Sequence, residues 1–445
     1  MRRGFFASVL AVAALATPPA HANPLDTFGL GSRGTAMGGA VAADVKDFSA
    51  NYYNPAGLAR APGLELAVGY LRADHTLRTN GNDNHVDPVK GMVAGLVAPG
   101  KFFGIPVAFG LALHLPDDRI SRVRALRQEQ PRWELYDNRN QRLFLATNVA
   151  VSPFEWLQIG GGLSFMSSTD GRLDISGDAN IISTQKSQLR HEVEADLTAI
   201  RYPQLGARAA LGKRFALALV YRGEFQLALD LKARLHGQIQ EGLTTALYEL
   251  ATHSINAFLP RQLVLGGTWL VTDDLKANLD VTWVNWSAYV APVASLDVKL
   301  DIPAPVGGWP ASITPPSTPA PTHIEPIVLR DRWVPHVGVE WRALATPKWE
   351  GFVRGGYEYA KSPIHAQTGI TNYIDRDRHS VSLGLGARVI APLRELPGDV
   401  RLDVHAQLSE LPTATTLKSN PADTVGDYTA GGHIWNIGAT MMVGF

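Results

Sequence analysis

The feature that most restricts what this chain can fold into is a two-residue period in polarity, held over long stretches and repeated along most of the sequence. Over 399–410, Val400, Leu402, Val404, Ala406 and Leu408 alternate with Arg401, Asp403, His405, Gln407 and Ser409. Leu275, Ala277, Leu279, Val281 and Trp283 alternate with Lys276, Asn278, Asp280 and Thr282. At the C-terminus Trp435, Ile437, Ala439, Met441, Val443 and Phe445 share one parity. Successive side chains on a strand point to opposite faces, so each stretch predicts a strand with one apolar and one polar face. Soluble sandwiches alternate too; the number and length of the stretches discriminate.

Fourteen stretches can be laid out, the first at 64–78, the third at 104–114 and the last at 432–445. Their connections alternate in length. Short ones fall at 99–103, 152–155, 212–213, 272–273, 345–348 and 391–398, and long ones include 115–141, 168–196, 235–259 and 290–331. An even strand count with short turns at one end and long loops at the other predicts an all-β fold. The expected architecture is a 14-stranded antiparallel transmembrane β-barrel of the bacterial outer membrane. Closure leaves no unpaired edge in lipid. Phe154, Trp156, Trp349 and Phe445 by the short turns, and Trp283, Trp286, Tyr289, Tyr357 and Tyr359 at the opposite ends, would form two interfacial girdles.

Three parts follow. Residues 1–22 read as a signal peptide, with Arg2 and Arg3, an apolar run and Ala20-His21-Ala22 as the cleavage site. Residues 23–62 form a small-residue-rich segment that enters the lumen from the periplasmic end, and 63–445 carry the barrel. Gly29, Gly31 and Gly34 spell G-x-G-x-x-G, but a dinucleotide site needs a strand leading into that turn, and Asn23–Phe28 cannot supply one. These glycines, with Gly38 and Gly39, fold a plug instead. Lys plus Arg equals Asp plus Glu at 41 each, so no bulk field recruits nucleic acid. There is no cysteine, which removes disulfides, thiolate catalysis and Cys-based metal sites.

The stretch G-L-G-x-x-G-x-A-x-G-G-A at 29–40, followed by Tyr53-Asn54-Pro55-Ala56-Gly57-Leu58 directly before strand one, resembles the FadL family. Those are outer-membrane transporters for long-chain fatty acids and other hydrophobic compounds. The resemblance implies a monomeric barrel closed by an N-terminal hatch, with a hydrophobic small molecule as ligand and no cofactor. It further implies capture at outer loops, an interior pocket, and an inward kink in strand three that opens a lateral exit. Asn54, Pro55 and Ala56 match the hatch motif beside that exit; an Asx-Pro turn anchoring a loop is the plainer reading. Leu25 and Phe28 would face the pocket. In strand three, Pro106 and Gly110 give a break a local cause.

In the loops, Ile239, Leu243, Leu247 and Leu250 have helical spacing over 237–258, either packing on the rim or, by the resemblance, forming the outer capture groove. Arg119, Arg122, Arg124 and Arg127 either meet lipopolysaccharide phosphates or form a solvated face. His191-Glu192-Val193-Glu194-Ala195 lacks the second ligand of a zinc helix, and there is no G-x-S-x-G elbow, so neither a metal site nor an enzyme is expected. Passive uptake of hydrophobic compounds is the leading function, with a non-transporting structural or adhesin barrel as the alternative.

Overall fold

A chain in lipid must satisfy its main-chain N–H and C=O groups internally, and the alternating stretches do so by pairing with a neighbour on each side. The computed structural model describes residues 24–118, 129–137, 143–178, 188–239, 244–289, 295–308, 327–391 and 398–445. The barrel strands are β1 (Glu65–Thr79), β2 (Val89–Phe102), β3 (Ile105–Pro116), β4 (Phe144–Phe154), β5 (Leu157–Asp178) and β6 (Gln188–Leu211). β7 has a lower part, Phe215–Arg222, and an outer part, Phe225–Ile239; β8 runs down through Thr244–Leu259 and Gln262–Leu270. Then come β9 (Leu275–Val284), β10 (Arg332–Ala345), β11 (Trp349–Ala360), β12 (Arg378–Ile390), β13 (Asp399–Thr416) and β14 (Tyr428–Gly444). Each strand pairs antiparallel with the next, and β14 returns to β1 from Glu65↔Gly444 to Thr79↔Ala430. The wall is closed, with fourteen strands.

The faces are inverted relative to a soluble protein. On lower β7, Phe215, Leu217, Leu219 and Tyr221 are exposed, while Ala216, Ala218, Val220 and Arg222 between them are buried. Around the lumen the buried inward side chains include Asn148, Gln204, Asn278, Asp280, Glu340, Arg354, Asp403 and Gln407. Apolar residues therefore face lipid and polar ones face inward, the arrangement a membrane-embedded barrel requires.

Two of its departures from the expected wall matter here. β6 and β7 pair only from Gln204↔Arg222 to Leu211↔Phe215, and at that height β7 is interrupted at Gly223–Glu224 and β8 at Pro260–Arg261. Gly223 N donates to Pro203 O at 2.8 Å, the last main-chain tie there among the described residues. The second departure corrects the reading of 237–258 as a helix. Ile239 ends outer β7, and Leu247 and Leu250 lie on β8 opposite His236 and Ala233; Leu243 lies outside the described residues. A strand over Thr244–Leu259 has a two-residue repeat, so the helical spacing of 237–258 is not realised there. The leucine spacing suits an isolated helix, but outer β7 needs a ladder partner and β8 supplies it. Arg119, Arg122, Arg124 and Arg127 and the signal segment 1–22 lie outside the described residues.

Candidate functional site

The segment before β1 fits inside the barrel because it carries small side chains and turns often. Helices α1 (Pro24–Phe28), α2 (Ser32–Ala36) and α3 (Ala50–Tyr53) and a 3-10 turn (Pro55–Arg60) follow one another. Gly29, Gly31, Gly38 and Gly39 all hold positive φ at the joints. Gly38 meets two demands at once: φ is +63°, and a side chain there would come within 2.8 Å of Tyr357 N on β11. Gly34 instead leaves room for the Tyr53 ring. Burial pushes the Tyr53 phenol up to about 12, so it stays neutral and its oxygen accepts from Leu30 N at 3.2 Å.

Asn54 ties this segment to itself and to the wall. Its Nδ2 donates to Ala42 O at 2.7 Å and to Ala207 O of β6 at 3.3 Å, while Oδ1 accepts from Ala56 N at 3.0 Å. Pro55 stands at the start of the 3-10 turn, where no N–H is needed. Gly160 on β5 and Gly206 on β6 leave space for Pro55 and Asn54. The triplet Asn54-Pro55-Ala56 therefore sits over β5 and β6.

Strand three corrects a further expectation. β3 runs in unbroken register against β2 from Gly91↔Pro116 to Phe102↔Ile105, and against β4 from Val107↔Val151 to His114↔Phe144. There is no kink or opening at Pro106 or Gly110. Pro106 lies at the turn end, before the pairing with β4 begins, so its missing donor breaks nothing. Gly110 is small for packing: a Cβ there would lie 2.5 Å from Asn51 Oδ1 and 2.7 Å from both Leu58 methyls.

A buried charge network, not anticipated from the sequence, fastens the segment to β9–β13. Arg33 Nε and Nη2 donate to Glu340 Oε2 and Oε1 at 2.8 and 2.9 Å, and Arg33 also pairs with Asp44. Lys276 Nζ lies 3.0 Å from both Asp44 and Glu340. Arg354 bridges Glu340 at 2.6 Å and Asp403 at 2.7 Å, and Arg401 reaches Asp47 at 3.3 Å. Burial by itself would raise the Asp44 pKa, but the Lys276 and Arg33 cations outweigh it and hold the carboxyl well below the usual range. Inward parity of Lys276 was legible; Glu340 and the charges in 24–62 that meet it were not.

The segment divides the lumen. On its outer side lies a cavity of about 90 Å³, lined by Leu25, Tyr52, Leu135, Arg222, Gln262, Trp286, Arg332 and Arg378 among others. Leu25 therefore lines it; the Phe28 ring instead stands edge-on to His75, centroids 5.7 Å apart. On the inner side is a vestibule of about 390 Å³, walled by Arg60, Arg208, Lys276, Arg342, Arg388 and Arg401 with Glu65, Glu340, Glu350 and Asp399. Among the described residues no group of three or more His, Asp or Glu could hold a metal.

Residues 141–393 match the sequence profile of the family described as outer membrane protein transport protein (OMPP1/FadL/TodX). The chain is 23% identical over 385 residues to alkane uptake protein A of Marinobacter nauticus, covering 82% of this chain and 78% of that protein. The fold is similar to that of a Pseudomonas aeruginosa FadL homologue, with TM-score 0.57 and 15% identity over 94% of this chain and 98% of the other. The Pseudomonas putida toluene transporter TodX superposes with TM-score 0.52 at 14% identity over 93% and 98% of the two chains.

Proposed function

The chain belongs to the OMPP1/FadL/TodX family of outer-membrane transport proteins, and on that premise we propose that it takes up hydrophobic small molecules passively. The ligand enters from the outside and occupies the cavity above residues 23–62. That segment acts as a hatch whose rearrangement enlarges the cavity, since about 90 Å³ is well short of the ~300 Å³ and more of an ordinary ligand pocket. We propose a monomer; the closed wall removes edge-to-edge strand pairing as a route to association.

The observation that carries this reading is the charged vestibule beneath the hatch. Each CH₂ moved from an apolar site into water forfeits about 0.8 kcal/mol, so an alkyl chain gains nothing by leaving downward through a charge-lined vestibule. Sideways release into lipid avoids that cost. The height where β7 and β8 are interrupted fits it best, because Arg222, Pro260 and Gln262 at that level also line the cavity.

Uptake of radiolabelled hexadecane and toluene by cells lacking their own such transporter tests the function; a surface-expressed barrel should raise it several-fold above vector. No increase would favour the non-transporting barrel, for which the filled lumen speaks. Two cystine staples test the route in this cysteine-free chain. Leu205→Cys with Tyr221→Cys, partners across β6–β7, should suppress uptake until reduced. Phe109→Cys with Val149→Cys, partners across β3–β4, should not. Equal uptake with both staples closed would remove the β6–β7 route.

A further inference from the structure

The vestibule beneath the hatch carries a surplus of positive charge. Eleven basic and eight acidic side chains line it, although the chain as a whole is neutral. All eight carboxylates are already engaged. Asp44 and Glu340 are shared by Arg33 and Lys276, Asp47 meets Arg401, and Glu65 accepts from Phe48 N at 2.9 Å. Nearer the mouth, Arg342 and Arg388 hold Asp274, Glu350 and Asp399, and Arg214 lies 3.8 Å from Asp273. Four cations are left without an ion pair among the described residues. Lys213 lies apart, exposed on the β6–β7 turn. Lys46 in the hatch, Arg60 at the end of the 3-10 turn and Arg208 on β6 stand together. Arg208 Nε donates to Ala43 O at 2.7 Å and Arg60 Nη1 to Asp44 O at 3.1 Å, adjacent carbonyls of the hatch, and Lys46 follows two residues on. The Nη2 of both guanidiniums donates to no described group. Arg60 is the strongest repelling charge felt by Lys46 and by Arg208. Like charges gathered in a cleft without a counter-ion repel one another, and such clusters mark places where a ligand supplies the missing charge.

We infer that Lys46, Arg60 and Arg208 form an anion site, facing the periplasm, for a doubly charged phosphate group, either the free ion or a small soluble monoester. Guanidinium forks match the spacing of phosphate oxygens, and an ammonium adds a third point charge. A dianion neutralises more of this surplus than a carboxylate does. β6 and β7 are paired at this height, from Gln204↔Arg222 to Leu211↔Phe215, so the anion arrives from the aqueous side and not from lipid. Lys46 and Arg60 belong to the hatch and Arg208 to the wall, so a phosphate between them clamps one to the other. A ligand that binds only the closed arrangement stabilises it by mass action. The site lies below the hatch, apart from the cavity above, and does not depend on what the protein transports.

Equilibrium dialysis of radiolabelled orthophosphate against the full-length protein in maltoside micelles tests this. Sodium chloride at about 0.15 M screens attraction beyond about 8 Å, so the general field contributes little. The wild type should bind saturably, one phosphate per chain. Arg208→Gln should weaken binding about tenfold, the loss of one charge-assisted contact. Lys46→Gln, on an exposed side chain, should give the same signature should Arg208→Gln fail to assemble. Lys213→Gln should bind as the wild type does. Phosphate should also slow hydrogen exchange several-fold at the Ala61 amide, accepted by Leu58 O at 3.0 Å, in the wild type and in Lys213→Gln alone. Competition by glycerol 3-phosphate would place soluble monoesters among the ligands, and its failure would leave the free ion. Binding that does not saturate, or that falls equally in Lys213→Gln, would overturn the site. Saturable binding with unchanged exchange would overturn the clamp.

Discussion

Arg33 in the hatch and Glu340 on β10 meet in a two-point contact, Nε to Oε2 at 2.8 Å and Nη2 to Oε1 at 2.9 Å, with both side chains buried. Removing one member of a buried pair costs about 3–5 kcal/mol, because the other is left uncompensated. Lys276 and Arg354 remain beside Glu340, which places the loss at the lower end. Arg33→Met should leave a folded, heat-modifiable barrel but loosen the hatch. Planar-bilayer recordings should show more frequent or larger openings than the wild type; an unchanged conductance would show that other contacts hold the hatch closed.

Small residues on the wall are where the hatch rests. A Cβ on Gly160 would lie 2.5 Å from the Pro55 carbonyl carbon and 2.6 Å from Ala56 N. Gly160→Val should therefore displace the 3-10 turn at a cost of about 1–3 kcal/mol. Hydrogen exchange at the Ala56 amide, now accepted by Asn54, should accelerate while strand amides stay protected. Gly267→Ala is the control: its nearest neighbour would be 3.7 Å away, and no change is expected.

Asp44 sets the acid limit of the closed state. Its folded pKa is depressed, so its stabilising contribution is complete above the unfolded value, about 3.9, and is lost as the pH falls through the folded value. The share of hatch opening that Asp44 governs should accordingly stay flat from pH 8 to about pH 4 and rise only below that. Asp44→Asn should show the raised opening at every pH. Opening that begins between pH 7 and 5 in the wild type would assign the control to another group.

The register of the wall is testable residue by residue. Val404 is exposed on the lipid face, while His405 beside it is buried toward the lumen. A fluorophore at 404 should be quenched by lipids carrying quenchers, and one at 405 should not. Leu265→Arg, on the lipid face of β8, should cost about 2–4 kcal/mol near the midplane and reduce assembly.

The wall was legible because its rule is local: inward and outward parity is written in adjacent residues, and chain reversals in the lengths between strands. The hatch was legible as a small-residue segment with turns. What it touches was not, since Arg33 and Glu340 lie on opposite sides of the barrel sequence and no local pattern links them. Gly110 shows how a residue type misleads. Glycine in a strand marks either a bulge or a close approach, and here Leu58 and Asn51 occupy the space. Leu247 and Leu250 mislead for the converse reason: a helical spacing is overridden by a partner strand that only the tertiary fold provides.

The seam between β1 and β14 joins the two ends of the wall, Glu65 beside Gly444. Until the final strand is in place, the wall is an open, curled sheet with two unpaired edges. The hatch is made before any strand and is too intimately bonded to β4, β6, β9, β10 and β14 to be threaded into a finished cylinder. Assembly must therefore wrap the wall around its own contents, and the last strand to arrive seals them in.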